Sequence, residues 1–139
     1  MVKKSVMLVL VFTISMCLGT ALAAGPNMKP GKWEITTQTE MDGMAMSIPP
    51  VTHTQCITGD ELVPQSQEAN KECVVSDMKI KGDTVSWKIV CSGATGRMEG
   101  TGKATYNGDT MEGTMDMVIA GAGMRVKNKI SGRRIGDCD

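Results

Sequence analysis

The chain has 139 residues, with 15 basic and 15 acidic side chains, one histidine and five cysteines. Its lysines and acids alternate without a basic block, which excludes the charge pattern of a nucleic-acid-binding protein. The lone histidine excludes a multi-histidine metal centre, and no G-x-S-x-G motif of a hydrolase is present.

The first 23 residues have the pattern of a secretory signal peptide. Two lysines begin it, an apolar run over residues 6–18 follows, and Ala21-Leu22-Ala23 forms a small-x-small cleavage pattern. The apolar run is too short to span a bilayer comfortably, so we expect no transmembrane span in the mature chain. We therefore predict cleavage near Ala23 and Ala24, export to the periplasm, and one mature domain over residues 24–139.

Alternation of apolar and polar residues predicts β-strands in three segments. They are "KWEITTQTEM", "TVSWKIVC" and the run over residues 124–130. All five prolines precede residue 65, so the second half can form uninterrupted strands joined by glycine turns. The residues expected on the buried faces are Trp33, Ile35, Met41, Val85, Trp87, Ile89, Cys91, Met124, Val126 and Ile130.

The stretch "MDGMAMSIPPVTH" places three methionines around an Asp-Gly turn, before the only histidine. A two-residue turn at Asp42-Gly43 would pair Thr37 with Ile48 and place the methionines on the face of Trp33. Two interpretations remain open. Methionine fills irregular core gaps in a chain with few aromatic residues. Thioethers also bind Cu(I) or Ag(I), and the candidate ligands for such a site are Met41, Met44, Met46 and His53.

Two further segments carry local predictions. Between two cysteines, Thr58 and Glu61 fit a capping box, and because Pro64 cannot donate a helical hydrogen bond only a short helix is predicted in this loop. In "MEGTGKATYNGDTMEGTMDM", a turn at Asn107-Gly108 would pair Ala104 with Met111, Gly102 with Gly113, and Glu99 with Asp116. This register places small residues beside flexible large ones, although its last pair joins two acids.

Cleavage of the signal segment removes Cys17 and leaves four cysteines, an even number that indicates two disulfides in an exported domain. A lipid anchor at Cys17 is an alternative that the preceding Met16 disfavours. The cysteine spacings do not suit a zinc site. A turn at Gly82-Asp83 would bring Val74 opposite Cys91, and a bulge or strand end at Cys73 would then let this cysteine reach Cys91. The predicted pairs are Cys73 with Cys91 and Cys56 with Cys138.

The segments "KPGKWEITTQTEMDGMAMSIPPVTHTQCIT", "YNGDTMEGTMDM" and "ISGRRIGDC" together resemble the bacterial exported family catalogued as domain of unknown function 3617. The resemblance extends from about Pro30 to Cys138. It implies a fold and a compartment outside the cytoplasm, and it supplies no catalytic residues.

From these patterns we expect an all-β fold. It would be a curved antiparallel β-meander, barrel-like, of about seven or eight strands with one short helix. We expect a non-enzymatic envelope protein that has no cofactor. It would bind a small hydrophobic ligand in the mouth of the barrel. The alternatives are a Cu(I)- or Ag(I)-binding module built on the methionine hairpin, and an interaction protein that docks through a sheet edge.

Overall fold

The computed structural model describes residues 25–45, 48–64, 72–93 and 96–139, so the predicted signal segment lies outside the described residues. The described chain forms one antiparallel sheet in the order β2-β1-β7-β6-β5-β4-β3. This sheet curls into a half-barrel, which confirms the all-β antiparallel prediction. Its strands are β1 (Gly31–Met41), β2 (Val51–Ile57), β3 (Glu72–Lys81), β4 (Thr84–Gly93), β5 (Gly96–Asn107), β6 (Thr110–Ile119) and β7 (Arg125–Gly136).

The hydrophobic core lies on the concave face of the sheet, as the alternation predicts. In β4 every second residue from Val85 to Cys91 is buried, and the residues between them are half-buried or exposed. Trp33 and Tyr106 meet edge to face in the core, with ring centroids 5.8 Å apart. One residue predicted for the buried face is not part of the core: Met124 is 39% exposed and precedes the first residue of β7.

Glycines on the concave face make room for large side chains on neighbouring strands. A Cβ atom on Gly100 would lie 2.9 Å from Cγ of Met117, and one on Gly102 would lie 2.7 Å from Nε1 of Trp87. Each large side chain therefore occupies the space that its glycine partner leaves free. This packing gives the methionines of β6 a structural role in the core.

The predicted register of the β5–β6 hairpin is wrong by two residues, although its face assignment is right. Asn107 pairs with Thr110, so the turn residues are Gly108 and Asp109, and Ala104 lies opposite Gly113. Gly108 has a φ of 66° at the first central position, as a type II′ turn requires. The observed register also moves Glu99 away from Asp116, which removes the like-charge pair.

The β1–β2 hairpin also differs from the prediction. The backbone N–H of Met44 donates to the carbonyl of Met41 at 3.4 Å, so Asp42 and Gly43 do form a turn. However, Thr37 pairs with Val51 and not with Ile48. Among the described residues, the last part of β1 therefore pairs only with β7, and the chain returns to the sheet after Pro49 and Pro50.

The predicted short helix is not confirmed. Residues 25–45, 48–64, 72–93 and 96–139 contain no helix, and the predicted start is a turn in which Glu61 N–H donates to the Thr58 carbonyl at 3.1 Å. Residues 65–71 lie outside the described residues. The backbone hydrogen bond across Thr58 and Glu61 replaces the capping arrangement that the sequence spacing predicts.

Both predicted disulfides are confirmed. Cys56 at the end of β2 is bonded to Cys138 after β7, with Cα atoms 5.6 Å apart, and Cys73 is bonded to Cys91 across β3 and β4, with Cα atoms 4.0 Å apart. The bulge that brings the second pair into register is centred on Asp77, whose φ is 49°. It lies four residues beyond Cys73, not at Cys73 as predicted, and restores the pairing parity that a regular ladder would break.

Candidate functional site

The concave face is open to solvent along β3. All ten residues of this strand are exposed. Val75 and Ile80 pair with the buried Ile89 and Val85, which places them on the concave face. We call Val75, Met78 and Ile80 the apolar strip; their exposed fractions are 38%, 49% and 47%.

The bulge in β3 decides where Met78 points. Asp77 and Met78 both lie opposite Trp87, because the register shifts between Ser76 and Lys79. The Asp77 carboxylate is 3.0 Å from Nζ of Lys88, which belongs to the convex face of β4. Strand alternation from Lys79 therefore leaves Met78 on the concave face, next to Trp87.

The indole of Trp87 is buried, but its N–H has no hydrogen-bond partner among the described residues. The ring lies against Gly102 on the neighbouring strand, where a Cβ atom would collide with it. A buried N–H without an acceptor costs about 1–3 kcal/mol. Trp87 therefore holds an unsatisfied donor, buried against β5, on the strand next to the apolar strip.

The other two aromatic polar groups in the described core do have partners. The Tyr106 hydroxyl donates to the Leu62 carbonyl at 2.6 Å, and Nε1 of Trp33 donates to the Lys29 carbonyl at 3.1 Å. Burial raises the pKa of Tyr106, so its hydroxyl stays a neutral donor. These bonds join the segments around Leu62 and Lys29 to the core, and Trp87 differs from both residues in having no acceptor.

A polar pair extends the row that begins at Trp87. Across the sheet, Gly102 is followed by Met115, Asn128 and Thr39 on successive strands. Asn128 is 8% exposed, and the Thr39 hydroxyl donates to its side-chain oxygen at 2.7 Å. A few polar groups in an apolar wall are typical of sites that orient a small ligand.

The charged groups that pair on the convex face have a structural role. Nζ of Lys129 is 2.7 Å from the Glu40 carboxylate, and this hydrogen bond lowers the pKa of Glu40 below 4.5. Arg133 and Glu34 form a similar pair at 2.8 Å across β7 and β1. These ion pairs join neighbouring strands and lie on the face opposite the apolar strip.

Three of the four candidate metal ligands lie among the described residues. Met41 packs partly buried against the core, Met44 is 49% exposed in the turn, and Met46 lies outside the described residues. His53 lies opposite Ile35, six residues before Met41 on β1. At about 3.3 Å per residue this is a distance of roughly 20 Å between His53 and Met41.

A family model with the description "Protein of unknown function (DUF3617)" matches residues 28–138. The chain belongs to the DUF3617 family. The family resemblance of the sequence is thus confirmed. No curated protein and no solved structure matches the chain.

The DUF3617 match includes all seven strands, both disulfides, the apolar strip and Trp87. In the described part of this DUF3617 protein, no three His, Cys, Asp or Glu residues cluster so that they could hold a metal ion. The same residues contain no helix that is long and apolar enough to cross a membrane. The apolar strip and Trp87 remain the candidate site.

Proposed function

We propose that this DUF3617 protein is a non-enzymatic envelope protein that binds a small hydrophobic molecule on its concave face. The observation that supports the proposal is the exposed apolar strip next to Trp87, whose buried indole N–H has no partner among the described residues. A ligand with an apolar body and one hydrogen-bond acceptor complements both features. Export is supported by the signal-peptide pattern and is compatible with the two disulfides.

The energetic gain comes from two sources. Complete burial of a Val, Ile or Met side chain contributes roughly 1.5–3 kcal/mol, and the apolar strip is 38–49% exposed before binding. Covering it would recover about half of that value for each residue. An acceptor for the Trp87 N–H would remove the cost of an unsatisfied donor, which is about 1–3 kcal/mol. The bond also sets the ligand's orientation.

The experiment combines ligand recovery with a binding titration. Native mass spectrometry of protein purified from the cell envelope identifies any co-purifying molecule. Titration with the apolar dye N-phenyl-1-naphthylamine then compares Met78→Glu with Val74→Glu. Val74 is 67% exposed on the same strand but on the convex face, so it is the matched control.

We expect Met78→Glu to weaken dye binding at least tenfold and Val74→Glu to leave it unchanged. Both positions are exposed, so neither change should alter stability by more than about 0.5 kcal/mol. Equal effects of the two substitutions, or no dye binding by the wild-type protein, would contradict the proposal.

The same mass spectra separate the two alternative functions. A copper or silver adduct that Met44→Leu removes would favour the metal-binding module, and a bound protein would favour docking through a sheet edge. The Asp77 bulge with Lys79 and Lys81 disfavours pairing of a foreign strand along β3. For this reason we prefer a small ligand to a docked protein strand as the partner of this surface.

Export is tested by the mass of the mature chain. We expect an N-terminus near Ala24 and protein in the periplasmic fraction. Recovery of the uncleaved chain from the cytoplasm would contradict this part of the proposal.

A further inference from the structure

A separate groove lies on the convex face of the sheet, on the opposite side from the apolar strip. It is a groove of about 440 Å³ that crosses β3, β4, β5 and β6. We call it the polar groove. Its lining is Asp77, Lys79, Ser86, Trp87, Lys88, Thr101, Gly102, Lys103, Thr114 and Asp116. Apart from Trp87 and Gly102, these residues are polar or charged and belong to the convex face.

Two lysines flank one hydroxyl in the polar groove. Lys79 on β3 and Lys103 on β5 both lie opposite Ser86 on β4, one on each side. With strands about 4.8 Å apart, their Cα atoms are roughly 10 Å from each other. Lysine side chains are long and flexible enough for both ammonium groups to meet above the Ser86 hydroxyl.

These two ammonium groups have no carboxylate partner, unlike a third lysine in the groove. Lys88 is paired with Asp77 at 3.0 Å. Among the described residues, neither Lys79 nor Lys103 forms an ion pair or a side-chain hydrogen bond. Two unpaired cations beside a hydroxyl form a donor set that suits a phosphate group, since lysine binds phosphate as a point charge.

The other end of the polar groove has a different chemistry. Thr114 lies directly opposite Lys103, and Asp116 lies opposite Thr101. A carboxylate only accepts hydrogen bonds, while a threonine hydroxyl both donates and accepts. This end therefore suits ligand hydroxyl groups and repels a second phosphate.

We infer that the polar groove binds a phosphate monoester of a polyol or sugar. The phosphate lies above Ser86 between Lys79 and Lys103, and the hydroxyl groups of the ligand contact Thr114 and Asp116. A phosphate monoester carries about −1.5 to −2 charges at neutral pH, which matches two ammonium groups. The groove volume of about 440 Å³ is within the range of small-molecule sites. This site lies on the opposite face of the sheet from the apolar strip, and only Trp87 and Gly102 of its lining also belong to the concave face.

The test uses the mature protein, labelled with ¹⁵N, and glycerol 3-phosphate as the probe. Amide shifts of Gly102 and Thr114 report binding at low ionic strength. Lys79→Gln and Lys103→Gln each remove one ammonium group. Lys81→Gln is the matched control, because Lys81 lies on the same strand and face as Lys79 but does not line the groove.

We expect each of the two groove variants to raise the Kd for glycerol 3-phosphate at least fivefold, with unchanged unfolding midpoints. Lys81→Gln should have no effect, and inorganic phosphate should bind more weakly than the ester. Equal losses in all three variants, or equal affinity for inorganic phosphate and the ester, would overturn the inference.

Vesicles that contain phosphatidic acid, whose headgroup is a phosphate monoester, distinguish the two sources of such a phosphate. Vesicle binding that depends on Lys79 and Lys103 would identify the ligand as a lipid headgroup. Binding of the free ester without binding of vesicles would identify a soluble phosphate ester. Vesicle binding that all three lysine variants retain, without shifts at Gly102, would contradict a groove site.

Discussion

The two disulfides should contribute unequally to stability, and serine substitutions measure the difference. Cys138→Ser opens a loop between residues 82 positions apart, and Cys73→Ser opens one between residues 18 positions apart. Loop-closure entropy gives about 4.5 kcal/mol for the long bridge and about 3 kcal/mol for the short one. Both substituted cysteines are exposed, so the serine hydroxyl adds no burial cost. We expect the Cys138→Ser protein to be less stable than the Cys73→Ser protein by about 1.5 kcal/mol.

Urea unfolding of the oxidised proteins, followed by circular dichroism, measures this difference. The two curves should have similar slopes, and the midpoint of Cys138→Ser should be the lower one. A control in which both proteins are fully reduced should bring the midpoints together. If Cys73→Ser is destabilised as much as Cys138→Ser or more, the argument from loop length is wrong for this fold.

Two further substitutions test the packing of the core. Gly102→Ala should destabilise the fold by about 1–3 kcal/mol, because the new Cβ atom meets the Trp87 indole; Gly59→Ala, which meets no atom within 4 Å, should change thermal stability little. Tyr106→Phe should cost about 1–2 kcal/mol in chemical unfolding, because it leaves the Leu62 carbonyl without its donor, and a cost near zero would show that water replaces this bond.

The faces of the strands could be predicted from the sequence, since alternation depends only on which side of a strand is buried. Trp33, Val85, Trp87 and Ile130 are all in the core where the pattern places them. The registers could not be predicted as well, because each depends on the exact turn residues. Moving the turn by one residue, to Gly108 and Asp109, shifts every pair of the β5–β6 hairpin.

The candidate site depends on contacts that no single segment contains. The row from Trp87 through Gly102 to Asn128 joins residues from four strands, and only the sheet order brings them together. The apolar strip depends on the bulge at Asp77, which the sequence does not locate. The methionines around the hairpin turn suggested core packing or a metal site there, but Met44 is exposed.

The pairing of the first strand with the last one affects how the chain can fold. Lys32 of β1 pairs with Gly136 of β7, whereas β3 to β7 are each joined to the next by a short connection. Two-state proteins with many contacts between distant residues fold slowly, and an isolated two-stranded hairpin such as β1–β2 is only marginally stable. A chain that leaves a ribosome or crosses a membrane N-terminus first must therefore complete residues 125–136 before β1 and β2 can join the sheet.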